Sequence, residues 1–199
     1  MTQDTPLAAL VTQLCKLPGV GPKSAQRMAF HLLGLPLSEV ETFASVMATV
    51  RRTIRYCQDC FYLTNSHRCR ICDSPKRHNG QLCVVADPRD VASLERSGTY
   101  QGVYHVLGGL ISPLDGRNPD TLRIPELKHR MGTGAFQEVV LAINPTIEGE
   151  ATIHYLASLL GQTAVTVSRL ASGLPIGADL EFADELTLTR AFIERVGIK

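Results

Sequence analysis

Two Cys-x2-Cys pairs, Cys57/Cys60 and Cys69/Cys72, stand eight residues apart in the stretch CQDCFYLTNSHRCRIC. Each two-residue spacer lets the backbone turn so that both sulfurs reach one ion, and four thiolates match the tetrahedral demand of zinc. Four cysteine ligands leave no open position for water, so the expected site is structural rather than catalytic. Six cysteines could also make three disulfides. The N-terminal MTQDTPLAAL has neither the basic nor the long apolar region of a secretory signal, which favours metal over disulfides. His67 lies between the pairs and is expected not to ligate, since four cysteines saturate the ion. Cys15 and Cys83 lie in apolar surroundings and are expected as small core residues.

A second constellation is Leu17-Pro18-Gly19-Val20-Gly21-Pro22-Lys23-Ser24-Ala25. Glycine tolerates positive φ and has no Cβ, so Gly19 and Gly21 let the backbone approach an external surface closely. The helix that follows aims free N–H groups and its positive dipole end at the same place, which suits a phosphate. Lys23 and, one turn later, Arg27 add charge. The stretch resembles the helix–hairpin–helix motif of DNA-binding proteins that do not read sequence, which makes Gly19, Gly21, Lys23 and Arg27 the expected DNA-binding residues. The alternative is a tight corner between two helices whose glycines serve packing alone.

The third is Ile143-Asn144-Pro145-Thr146-Ile147-Glu148-Gly149-Glu150-Ala151-Thr152. It resembles the strand end of the toprim domain of topoisomerases, primases and related nucleases, where Asp-Pro-Asp-Arg-Glu-Gly-Glu is the familiar run. Asn144 and Thr146 stand where the aspartates would be, and Glu148-Gly149-Glu150 is retained. At the end of the first strand the family's glutamate is replaced by Ala86. Asp87 follows, but neighbouring strand residues point to opposite faces. Mg²⁺ chemistry of this kind needs carboxylates that bridge the ion to phosphate, so no phosphodiester chemistry is expected. Glu148 and Glu150 are left as a candidate surface for a protein partner or a weak metal, or simply as acids that favour a helix N-terminus.

The elements that must position these residues follow from periodicity. Leu7, Leu10, Val11 and Leu14 predict a helix over ~6–16. Pro22 suits the first position of a second helix, with Ala25, Met28, Ala29, Leu32 and Leu33 inward and Gly34-Leu35-Pro36 as its end. Ser38 and Glu41 have capping-box spacing and predict a third helix over ~38–55, with Val40, Phe43, Ala44, Met47, Val50 and Ile54 inward. Beyond the cysteines, apolar runs at 82–86, 103–107, 138–143 and 164–167 predict strands. They alternate with helices near 88–97 and ~148–160, a pattern of βαβ units around a mainly parallel sheet. Ser112–Pro125 is expected as a surface loop, and Asp184–Arg195 as a final helix.

A chain of 199 residues, 44% hydrophobic, can build one or two cored domains. No apolar run approaches the ~18 residues needed to span a bilayer, so a soluble, cytoplasmic protein with no membrane role is expected. The net charge of +1 hides an asymmetry: residues 1–80 carry ten Lys and Arg against five Asp and Glu, and the remainder carries ten against fourteen. A basic N-terminal part points to a polyanion there. The arginines around the cysteines (Arg51, Arg52, Arg55, Arg68, Arg70 and Arg77, with Lys76) could extend such a surface or simply be solvated.

Helix–hairpin–helix, four cysteines and a toprim-like domain in this order resemble the RecR family of bacterial recombination mediators. The resemblance runs nearly full length and includes Tyr104-His105-Val106-Leu107-Gly108-Gly109, Ser112-Pro113-Leu114-Asp115-Gly116 and Gly173–Glu181. Ala86 departs from this family too, where glutamate is usual. The resemblance implies an α+β multidomain chain: a helix–hairpin–helix domain over 1–55, a four-cysteine zinc finger over 56–75, a toprim-like domain over 80–176, and a C-terminal segment over 177–199. That last segment, with a Walker B-like stretch at Leu180–Leu188, would exchange between subunits. It further implies a non-enzymatic, nucleoid-associated protein of recombinational DNA repair, a ring-shaped homotetramer able to encircle single- or double-stranded DNA. With RecO and RecF it would load RecA onto single strands coated with single-strand-binding protein. A modest positive charge per subunit would then be multiplied around the ring. Two alternatives stay open: a catalytic toprim nuclease or topoisomerase fragment, and a zinc-containing adaptor without DNA contact. The zinc itself is expected as a rigid brace between the helical and α/β parts.

Overall fold

The structure, a computed structural model, describes residues 5–197. The chain divides into two compact units, Met1–Ile54 and Arg55–Lys199.

The first unit is helical. Helix α1 (Pro6–Leu14) is capped by the Thr5 hydroxyl, which accepts from the Ala8 amide. Helix α2 (Pro22–Leu33) has Pro22 in its first turn, and α1 packs on it. Only Ala25 and Ala29 of α2 are fully buried, while Met28 and Leu33, expected inward, are exposed. Helix α3 (Leu37–Thr53) opens one residue before the expected capping box. Pro36 takes the N-cap position, so Ser38 falls inside the first turn and no side chain caps the helix. The apolar stripe of α3 is real, but its core assignment is corrected: Phe43, Met47 and Val50 are each more than half exposed, and no α3 residue is buried. Periodicity identifies an apolar face; it does not say that the same chain covers it.

The second unit begins with a small antiparallel pair, β1 (Arg55–Tyr56) and β2 (Leu63–Thr64), around the first two cysteines, followed by a one-turn helix α4 (Arg70–Asp73) at the last two. Then comes a four-stranded sheet of β3 (Gln81–Val85), β4 (Val103–Val106), β5 (Glu138–Ala142) and β6 (Thr166–Arg169) in the order β4-β3-β5-β6. Every neighbouring pair is parallel. The crossovers use α5 (Pro88–Ser97), α6 (Ile124–Thr133) and α7 (Ile147–Leu160), and α8 (Glu185–Ile193) closes the chain.

Strand alternation divides the core in two. Leu82, Val84, Val103, Val139 and Leu141 join α6 and α7 residues on one face. Cys83, Val85, Tyr104, Val106 and Ala142 face the other way, where Val91 of α5 and the four paired cysteines complete the cover. The cysteine segment thus takes the place a second helix would have on that face. Helix α6 was not legible in the sequence: the expected loop ends where it starts, and Pro125 and Gly132 disguise its period. The last strand lies two residues later than its apolar run suggests.

Candidate metal centre and nucleic-acid interface

The Sγ atoms of Cys57, Cys60, Cys69 and Cys72 lie within 4.8 Å of one another, and all four residues are buried. A tetrahedral ion with metal–sulfur bonds of about 2.3 Å sets sulfurs about 3.8 Å apart, and Cys60 and Cys69 Sγ stand at 3.5 Å. The turns that converge them are built from backbone. The Cys57 amide donates to the Tyr62 carbonyl at 2.7 Å and the Phe61 amide to the Cys57 carbonyl at 3.0 Å. Two amides point at sulfur, Cys69 N–H at Cys57 Sγ (3.3 Å) and Cys72 N–H at Cys69 Sγ (3.5 Å), an arrangement that stabilises thiolates. Hydrogen bonds from Cys60 and then Cys72 hold the Cys69 thiol far below its ordinary range, while Cys60 is driven up, first by its contact with Cys69. Four buried sulfurs within reach of one centre, two of them met by backbone amides, form a set of donors with no other partner for their charge among the described residues. The donor set therefore fits a divalent metal. Among the described residues no other group of three or more Cys, His, Asp or Glu converges in this way. His67 is exposed.

Two of the flanking arginines proved to be internal struts rather than a solvated face. Arg68 bonds Asp59 (2.6 Å) and the Cys72 carbonyl (2.8 Å), stapling the two cysteine turns together. Arg77 grips Glu95 through both terminal nitrogens and donates to the Gly102 carbonyl.

In the helical unit, Gly19 sits at φ +77° in the hairpin, a region where a side chain is strained. Gly21 has ordinary φ as the N-cap of α2, and a Cβ built there meets nothing within 4 Å. No neighbour among the described residues would crowd a side chain there. Lys23 and Arg27 are exposed one turn apart on α2, without an ion pair among the described residues. Gly21 and Lys23 thus lie at the start of α2, Arg27 one turn further along it, and Gly19 in the hairpin before it.

At the carboxyl ends of β3 and β5 lies a cleft of about 670 Å³ lined by Ala86, Asp87, Arg89, Asp115, Arg117, Asn144, Thr146 and Glu148, among others. Its carboxylates do not converge. Asp87 caps α5 and pairs with Arg89 at 2.8 Å, which holds its carboxyl below the usual range. Thr146 caps α7 by accepting from the Gly149 amide. Gly149 is required, because a Cβ would stand 1.9 Å from the Asn144 carbonyl oxygen. Glu148 and Glu150, both in the first turn of α7, have different surroundings. Glu148 is exposed. Glu150 is held by Arg169 (3.3 Å) and by Arg190 of α8 (3.0 Å), and Arg169 also pairs with Glu194. No helix among the described residues is long and apolar enough to cross a membrane.

A parallel four-stranded sheet without a carboxylate cluster, a knuckle of four converging cysteines and a separate unit built on a glycine hairpin between helices stand together in one chain. Comparison with known proteins agrees part by part: residues 80–171 match the Toprim domain, 7–51 the RecR helix-hairpin-helix, and 173–196 the RecR C-terminal family. The chain is 48% identical over 195 residues to Recombination protein RecR of Cutibacterium acnes, covering 98% of this chain and 97% of that one. Against the proteins of the same name from Acidothermus cellulolyticus and Synechococcus elongatus it is 52% identical over 182 residues and 50% over 186, covering at least 92% of each chain. The chain belongs to the RecR family of recombination proteins.

Proposed function

We propose that this chain is a DNA-binding mediator of recombinational repair. It holds DNA through Gly19, Gly21, Lys23 and Arg27 and acts with RecO and RecF to load RecA on single-stranded DNA. The observation that carries this is the glycine hairpin: Gly21 is bare toward the outside, with two exposed cations on the following helix that have no ion pair among the described residues. Backbone amides and lysine or arginine at a helix start position phosphates without reading bases.

Zinc in the tetrathiolate is the metal of choice, held by Cys57, Cys60, Cys69 and Cys72, and its role is structural because four sulfurs leave no site for water. The protein is not an enzyme in this reading. Ala86, Asn144 and Thr146 supply no carboxylate, and Asp87 is taken up by its cap and Arg89. The functional division is 1–55 for DNA, 56–75 for metal, 80–176 for the toprim-like sheet and 177–199 for exchange between subunits. Glu148, exposed beside the cleft, and Glu150, paired to Arg169 and Arg190, form the partner surface for RecO or RecF. A homotetrameric ring is supported by the uncovered stripe of α3 and, in the second unit, by exposed Ile176, Phe182, Phe192 and Ile193. Large apolar patches on a folded chain mark surfaces that another chain covers.

The test is Lys23→Ala with Arg27→Ala. Expected are weaker DNA binding and a salt dependence shallower by about one unit per lost phosphate contact. Unchanged affinity and slope would sink the hairpin as the DNA site. Mg²⁺-dependent cleavage by the pure protein would instead favour a catalytic toprim enzyme.

A further inference from the structure

Strand β4 is one of the two outer strands of the sheet. Its backbone faces two ways. The amide of Leu107, just past the strand, donates inward to the Val85 carbonyl at 2.9 Å. The neighbouring Val106 amide donates outward, to the carbonyl of Cys60, also at 2.9 Å. The outward carbonyl of Tyr104 accepts from Arg130 Nη1 on α6 at 2.5 Å. The free edge of β4 is therefore covered twice, by a carbonyl within the first Cys-x2-Cys turn and by a guanidinium.

Edge strands invite pairing with another chain, and proteins usually blunt them with lysine, proline or a bulge. β4 has none of these. Val103, Tyr104, His105 and Val106 are all essentially fully buried, so the two covers are its protection. The Cys60 carbonyl owes its position to the turn that the thiolates close. The following Phe61 sits at φ +61°, with its ring against the edge of His105 (5.5 Å) and under the Arg123 guanidinium (4.8 Å). A bulky residue in that conformation persists only where its surroundings hold it. A metal shared by all four sulfurs would add the tie between the two halves of the knuckle that holds the Cys60 carbonyl against Val106.

We propose that the cysteine knuckle is the edge cover of this sheet, and that loss of its metal turns β4 into a strand-pairing surface for a second copy of this chain. The same edge is bared on every stripped molecule, so two copies can pair symmetrically. This gives the knuckle a task within its own unit and rests on the metal reading above.

The experiment starts with metal content of the full-length protein. A chain purified without metal removes that reading and this proposal with it. If metal is present, it is stripped with a chelator, and amide exchange is followed residue by residue by NMR. At a dilution where the stripped chain has not associated, Val106 is expected to lose about 100-fold or more of its protection, while Leu107 and the strands β3 and β5 keep theirs. The stripped chain should sediment at roughly twice its loaded mass or more, reversibly on adding zinc, and further still with Arg130→Ala, which lifts the second cover. Three results overturn the proposal: unchanged protection at Val106, loss shared equally by β3 and β5, or a stripped protein that sediments like the loaded one.

Discussion

His105 is fully buried between two layers, with its Nε2 donating to the Arg123 carbonyl at 2.7 Å. A carbonyl only accepts, so Nε2 carries the proton and Nδ1 is a bare acceptor, left without a partner. Burial drives its pKa from 6.5 down to about 4, with Arg130 adding to the effect. The unfolded chain then binds more protons than the folded one between those values. The contribution is complete above pH 6.5 and is lost as pH falls toward 4, on the order of 3 kcal/mol. His105→Gln keeps a donor for Arg123 without titrating, so its stability should vary less over that window. Equal acid sensitivity in parent and variant would disprove the assignment. The cysteines act at the same scale. Cys72→Ser should lower both metal stoichiometry and Tm, because binding at a tetrathiolate is coupled to local folding; unchanged metal content would exclude Cys72 as a ligand.

The two hairpin glycines are equivalent on paper and different in the folded element. Gly19 needs its positive φ, so Gly19→Ala should cost stability, about 1 kcal/mol. Gly21 has ordinary dihedrals and open space, so Gly21→Ala should cost no more than the poorer N-cap, about 1 kcal/mol or less, while weakening DNA binding. Equal DNA affinity for parent and Gly21→Ala would mean that no surface approaches that backbone. The elements themselves were largely legible. The strands of the parallel sheet are apolar runs, and α2 announces itself with Pro22. Helix α6 was hidden because only Ile124 and Leu127 of its ten residues are buried, too few to print a period. The Ser38 capping box failed because Pro36 starts α3 earlier than the side-chain signal suggested.

At the scale of the whole molecule, the uncovered stripe of α3 is the least self-sufficient feature. Phe43 and Met47 are 52% and 54% exposed, so about half of each side chain is left for another chain to cover. The double variant Phe43→Ser with Met47→Ser is expected to stay folded by circular dichroism and to sediment as a smaller species. If its mass in the ultracentrifuge equals that of the parent, the stripe is not an assembly surface.

Local order along the chain determined a good deal. The cysteine spacing, the glycines before Pro22 and the substitutions Ala86, Asn144 and Thr146 are statements about residue type and short-range geometry. Four cysteines placed to converge, a glycine hairpin opening α2 and a toprim strand end lacking its aspartates follow from them. Only the tertiary structure decided where the side chains between these motifs went. Arg68 and Arg77 became struts, Glu150 was claimed by Arg169 and Arg190, and Cys60 lent its carbonyl to Val106. The physical reason is range: a ligand spacing or a turn is closed within a few residues. An ion pair between residues 150 and 190, or a carbonyl that covers a strand 46 residues away, exists only once the sheet has brought distant segments together.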